Sequence, residues 1–196
     1  MQRRSFMLKS TAVLTLGGLA LAGCTTNRNA GSEQAAGAAD LHRSIDADVD
    51  STLQRLYATV NGSRELVEKG SGVLVFPSVI QAGFVVGAQY GKGSLRVGGQ
   101  TVGYYSTTSG SFGLQAGAQS KALIFVFMTQ DALARFRNSN GWSAGADASV
   151  ALARMGANGK IDTTTASKPV QAFVLTNAGL MADASLEGTK VSRLTE

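Results

Sequence analysis

The segment Gly83-Phe84-Val85-Val86-Gly87-Ala88-Gln89-Tyr90-Gly91 constrains the fold most. Its period of two places Phe84, Val86, Ala88 and Tyr90 on one face and Val85, Gly87 and Gln89 on the other, which predicts a strand. The Gly-Ala-Gln core returns in Phe112-Gly113-Leu114-Gln115-Ala116-Gly117-Ala118-Gln119. Shorter echoes follow at Gly145-Ala146-Asp147-Ala148-Ser149 and Met181-Ala182-Asp183-Ala184-Ser185. These segments read as related strands of one antiparallel sheet system.

The start of the chain reads as an export signal. Residues 1–23 carry Arg3, Arg4 and Lys9, then an apolar run of about a dozen residues, too short to span a bilayer. The run ends in Leu21-Ala22-Gly23-Cys24, the pattern of a bacterial lipobox. It predicts cleavage before Cys24 and lipidation of that cysteine. Arg3-Arg4-Ser5-Phe6 serves equally as a twin-arginine signal or as an ordinary basic start. Thr25 stands where an inner-membrane retention signal would place Asp. The expected location is therefore the outer membrane, facing the periplasm. Residues 24–39 read as the lipidated cysteine and a flexible tether poor in bulky apolar side chains, and residues 40–196 as a single domain.

Loss of residues 1–23 changes the charge balance. Three of the 18 Lys and Arg go with them, leaving 15 against 13 Asp and Glu, a net of +2. That gives no electrostatic ground for nucleic-acid binding. Cys24 is the only cysteine, so no disulfide, zinc-cysteine site or cysteine nucleophile is expected in the domain.

From Asp40 the period becomes helical. Leu41, Ile45, Val49, Leu53, Leu56, Tyr57 and Val60 form an apolar stripe, Asn61-Gly62 stops it, and Ser63 is placed to cap a second helix reaching Lys69. Residues 40–69 hold four basic and six acidic side chains, so this helix is expected to pack on the sheet and not on an anionic bilayer. Val73-Leu74-Val75-Phe76 and residues 122–128 read as buried strands, Gly91-Lys92-Gly93 and Gly98-Gly99 as turns, and residues 107–110 as a turn between strands at 102–106 and 112–119. Thr129 caps a short helix over 130–138 with Leu133 and Phe136 inward. Residues 143–153 and 161–164 flank Asn158-Gly159 as a hairpin, and residues 170–175 and 180–194 close the chain as strands around Asn177-Ala178-Gly179. The fold class is α+β: a Gly-rich antiparallel sheet with N-terminal amphipathic helices and one further short helix. Gly87, Gly113, Gly117 and Gly145 are the expected points of close strand or helix approach.

Five segments carry a family resemblance. Gly72-Val73-Leu74-Val75-Phe76-Pro77, Gly83 to Gly93, Gly113 to Ser120, Gly145 to Ser149 and Ala184-Ser185-Leu186-Glu187-Gly188 resemble the SYLF-domain family in order and spacing, over about residues 53–191. Eukaryotic members bind phosphoinositides and act in actin and membrane remodelling, and bacterial members are mostly exported proteins or lipoproteins. The resemblance implies lipid or membrane binding.

Catalytic chemistry is poorly provided for. His42 is the only histidine, without partners for a metal site, and reads as a solvated helix-start residue. Asp147 and Asp183 occupy equivalent places in echoing segments, but each reads better as a backbone hydrogen-bond acceptor or a solvated side chain than as half of a catalytic pair. No enzyme activity, cofactor or metal is expected. Residues 70–196 hold ten basic against six acidic side chains, and Lys92, Arg96 and Lys121 are the candidates for contact with an anionic headgroup. The expected function is non-catalytic binding of anionic phospholipid or a membrane surface. The alternative is a structural role in the cell envelope through a protein partner.

Overall fold

The computed structural model describes residues 30–83, 86–112, 119–154, 161, 168–181 and 184–195. Residues 1–23, read above as an export signal, and Cys24 lie outside them. Three helices occur among these residues, α1 (Ala30–Thr59), α2 (Ser63–Lys69) and α3 (Gln130–Asn138). The strands are β1 (Gly72–Gly83), β2 (Val86–Val97), β3 (Gln100–Phe112), β4 (Gln119–Phe127), β5 (Trp142–Ser143), β6 (Val150–Leu152), β7 (Val170–Thr176), β8 (Gly179–Leu180) and β9 (Lys190–Arg193). They form one sheet in the order β5-β9-β3-β2-β1-β4-β7-β6, with β8 on β7. All pairs are antiparallel except β6 on β7. The α+β reading holds.

Each face of the sheet has its own core. On one, the α1 stripe of Ile45, Val49, Leu53, Leu56 and Val60 lies on Val73 and Val75 of β1, Ile124 and Val126 of β4, and Phe173 and Leu175 of β7. On the other, Leu133 and Phe136 of α3 join Trp142, Phe125 and Phe127 in an aromatic cluster with ring centroids 4.9–6.2 Å apart. Ala122–Phe127 is buried throughout, as expected of a strand covered on both faces. Asp40 to Thr59 is helical as read, but α1 starts ten residues earlier, at Ala30.

Several boundaries differ from the expectation. Gly83 pairs with Gly87, so the segment 83–91 is not one strand but the end of β1 folding back into the start of β2. Alternation is blind to this, because a tight reversal flanked by apolar residues keeps the period of two. Gly91-Lys92-Gly93 is not a turn but the interior of β2, where a bulge in β1 between Val75 and Ser78 presses the two backbones together. A Cβ on Gly93 would stand 1.9 Å from the Val75 carbonyl oxygen. Among the glycines whose surroundings are described, Gly91 and Gly93 make the closest backbone approaches. Residues 107–110 do not turn either: β3 runs through them.

Gly145 has φ +88° and sits in a loop following β5, so residues 143–153 are not one strand: β5 ends at Ser143 and β6 begins at Val150. The Asn158-Gly159 turn, Gly113, Gly117 and Asp183 lie outside the described residues. Gly62, not Ser63, caps α2; Ser63 instead donates to the carbonyls of Leu56 and Val60 at the end of α1. Thr129 caps α3 as expected, accepting from the Ala132 N–H.

Gln171 is wholly buried between β4 and β6, and neither its Oε1 nor its Nε2 has a hydrogen-bond partner among the described residues. An unsatisfied buried amide costs more than an apolar group of equal length. Gln171→Met is therefore expected to raise unfolding stability by about 1–2 kcal/mol, read from the denaturant midpoint at unchanged slope. A lowered midpoint would show that the amide is satisfied after all.

Candidate functional site

The three expected headgroup contacts do not meet at one place. Arg96, near the end of β2, lies under α1 with its side chain 14% exposed. Its Nη1 is paired with Asp50, and its Nη2 donates to the Asp46 carbonyl at 3.1 Å and stands 3.8 Å from the Asp46 carboxylate. Two carboxylates on one guanidinium leave no net attraction for a lipid phosphate. Arg96 belongs to the contact that docks α1.

Asp46 is the centre of that contact. Its Oδ1 accepts from Thr101 at 2.8 Å and Ser94 at 3.2 Å, and its Oδ2 from Tyr104 at 2.7 Å. His42, one turn earlier on α1, stacks on the Tyr104 ring at 3.7 Å between centroids. The histidine is thus engaged with the sheet and is not a free helix-start residue. A groove of about 460 Å³ lies beside this contact, with Tyr57, Leu53 and Val73 as its apolar wall and Asp50, Glu68 and Arg96 as its charged groups. Burial raises the Tyr57 hydroxyl above the ordinary tyrosine pKa.

Lys92 and Lys121 stand on opposite faces. Lys92 lies two residues before Ser94, on the α1 side, and pairs with Ser78. Lys121 lies two residues before Leu123, on the α3 side, and pairs with Val79. Burial lowers the Lys121 pKa. Their levels along the sheet are nevertheless one residue apart, since Ser78 and Val79 are neighbours in β1.

Beyond that level the pairing continues among β1, β2, β3 and β4, where Tyr90 is exposed and Gln89 is buried. Strand β9 pairs with β3 only at Tyr105 to Thr108, and β7 with β4 only at Ala122 to Phe127. The ends of β1, β2, β3 and β4 thus form a four-stranded extension whose outer edges are unpaired among the described residues. Ile80 and Tyr90 are cross-strand neighbours on it, 54% and 48% exposed. Ser78 and Ser120 share a hydrogen bond of 2.9 Å across β1 and β4.

The sequence holds no Asp or Glu from Gly70 through Gln130, and its only cations there are Lys92, Arg96 and Lys121. With Arg96 neutralised by α1, the extension carries two lysines and no carboxylate. That run was readable in the sequence. The exposure of Ile80 and Tyr90 was not, because their alternation is that of a half-buried strand.

Of the pair Asp147 and Asp183, only the first lies among the described residues. Asp147 accepts the Ser143 N–H at 2.6 Å and closes the loop after β5. No group of three or more His, Cys, Asp or Glu side chains able to hold a metal occurs among the described residues.

Residues 108–196 match the family model described as Ysc84: Las17-binding protein actin regulator. The match agrees with the SYLF-domain resemblance over the C-terminal part of the chain. No curated protein matches the chain. The SYLF match begins inside β3 and takes in β4, α3 and every later strand, including the half of the extension that carries Lys121.

Proposed function

We propose that this chain is a non-catalytic, membrane-anchored lipoprotein whose SYLF domain binds an anionic lipid surface. The observation that carries the reading is the sheet centre, whose strands from Gly70 through Gln130 hold no carboxylate, with Ile80 and Tyr90 exposed next to the level of Lys92 and Lys121. The strands themselves contribute cations and no carboxylate, which favours anionic lipid, although Asp48 of α1 shares a groove with Ser78 beside Lys92. The lipobox ending in Cys24 supports attachment at the outer membrane on the periplasmic side. The family match over residues 108–196 agrees with a lipid-binding or actin-regulator-related domain.

The test is co-sedimentation of the full chain with neutral, phosphatidylglycerol and cardiolipin vesicles at low and physiological salt. An N-terminal anchor adds equally to each composition, so the reading rests on the difference between anionic and neutral vesicles. That difference is expected to be clear at low salt and to shrink at physiological salt. Equal association with all three would remove anionic lipid as the ligand. The outer edges of β3 past Thr108 and of β4 before Ala122, unpaired among the described residues, favour a second reading, an envelope protein partner that adds a strand there. Crosslinking to a defined partner, with no lipid preference, would select it.

A further inference from the structure

We propose that the groove between the second half of α1, the end of α2 and the Gly98-Gly99 turn is a binding site for a small organic cation, an ammonium carried on an apolar or aromatic body. The site is independent of the lipid reading: it lies where β1 begins and β2 ends, and neither Lys92 nor Lys121 lines it.

Size and lining suit a small molecule. The volume of about 460 Å³ falls among those of small-molecule sites, which are mostly apolar with a few convergent polar groups. Leu53 and Tyr57 of α1, Val67 of α2 and Val73 of β1 supply the apolar wall. The turn between β2 and β3 adds Gly98 and Gly99, and no heavy atom lies within 4 Å of where a Cβ on either would stand. Both have positive φ, so the turn takes glycine for its backbone, and the missing side chains leave the groove open there.

The hydrogen-bonding inventory sets the charge of the ligand. Arg96 is the one cation in the lining among the described residues, and its donors are spent. Its Nη1 is on Asp50, its Nη2 is on the Asp46 carbonyl, and its Nε is sealed from solvent. An anion therefore finds no free charged donor. The acceptors are in the opposite condition. Glu68 makes no ion pair among the described residues, and Asp50, its side chain 56% exposed, meets Arg96 through Oδ1 and keeps Oδ2 open. Arg64 does not answer them. It is held over the Tyr57 ring, 4.3 Å from the centroid, and pairs with neither carboxylate.

Open carboxylate oxygens beside an apolar wall favour a ligand that brings positive charge and N–H donors on a hydrocarbon frame. An ammonium donates to Glu68 and to Asp50 Oδ2, where charge assistance strengthens each bond. Its body covers Leu53, Val67 and Val73, removing their apolar surface from water. A neutral ligand gains only the second of these terms, and an anion is repelled by the first.

The experiment is a titration of the ¹⁵N-labelled full chain, followed by nuclear magnetic resonance, with three probes on one ring: 2-phenylethylamine, 2-phenylethanol and phenylacetate. Saturable shifts of the Gly70, Gly98 and Gly99 amide signals by the amine are expected. The alcohol is expected to move the same signals with about fivefold lower affinity, the difference made by a partly exposed ion pair, and phenylacetate to leave them in place. Glu68→Gln is expected to bring the amine down to the affinity of the alcohol and to leave the alcohol unchanged. Glu68 is exposed, so the variant should fold, and near-ultraviolet circular dichroism of the buried Trp142 checks that it does.

Equal affinity for amine and alcohol, or an amine affinity that Glu68→Gln does not move, would overturn the cation site. Preference for phenylacetate would reverse the charge assigned to the ligand. Shifts confined to amides away from the groove, or none at any concentration the amine's solubility allows, would overturn the groove as a site.

Discussion

A Gly93→Ala chain is expected to lose about 3 kcal/mol or more of stability and to separate β2 from β1 where they are most tightly pressed. The added methyl group would stand 1.9 Å from the Val75 carbonyl oxygen and 2.8 Å from the Phe76 ring. A flexible side chain could move aside, but a carbonyl inside a paired strand cannot do so without breaking its ladder. Overpacking of this kind commonly costs about 1–3 kcal/mol, with larger losses where backbone must move. Denaturant unfolding measures the loss. Gly99→Ala is the comparison, since Gly99 has open space around it and strain only from its φ of +81°. Equal losses at the two positions would mean that the close approach at the bulge does not limit the fold.

Asp46→Ala is the second large effect. It removes the acceptor of three hydroxyl donors, Ser94, Thr101 and Tyr104, and one of the two carboxylates on Arg96. Hydrogen bonds to a charged acceptor contribute about 1.5–3 kcal/mol each when shielded, and Asp46 is partly exposed, so a total loss of about 2–4 kcal/mol is expected. Faster amide exchange along α1 should accompany it, because this contact fixes where the helix crosses the sheet. The paired change Asp46→Ala with Tyr104→Phe should cost less than the two single losses together, as both remove the same bond. Additive losses would place the Tyr104 hydroxyl outside the cluster.

The elements that were legible are those whose signal is local. The stripe of α1, the Thr129 cap, the Gly98-Gly99 turn and the all-apolar run of β4 each depend on neighbours within a few residues. What escaped depends on distant partners. Nothing near Gly93 announces that Val75 bulges against it, so a strand interior read as a turn. Arg96 looked like a free cation because Asp46 and Asp50, some fifty residues earlier, meet it only after α1 lies across β2. Lys92 and Lys121 lie on β2 and β4, but their opposite faces and shared level follow from the registers of β1 with β2 and β4. The parallel β6–β7 pair had no marker, for three residues carry too little pattern to show direction.

The sheet order also bears on how the chain can be divided. The SYLF match covers residues 108–196, yet between β3 and β4, the first strands it touches, the sheet places β2 and β1, which precede it. A fragment cut at residue 108 would keep the two flanks and discard the centre. The buried rows on β4 would face empty space on the side that β1 fills. The length of chain that shares ancestry and the length that closes a core are therefore different quantities in this protein, and any fragment meant to fold must reach back at least through β1 to the helix that covers it.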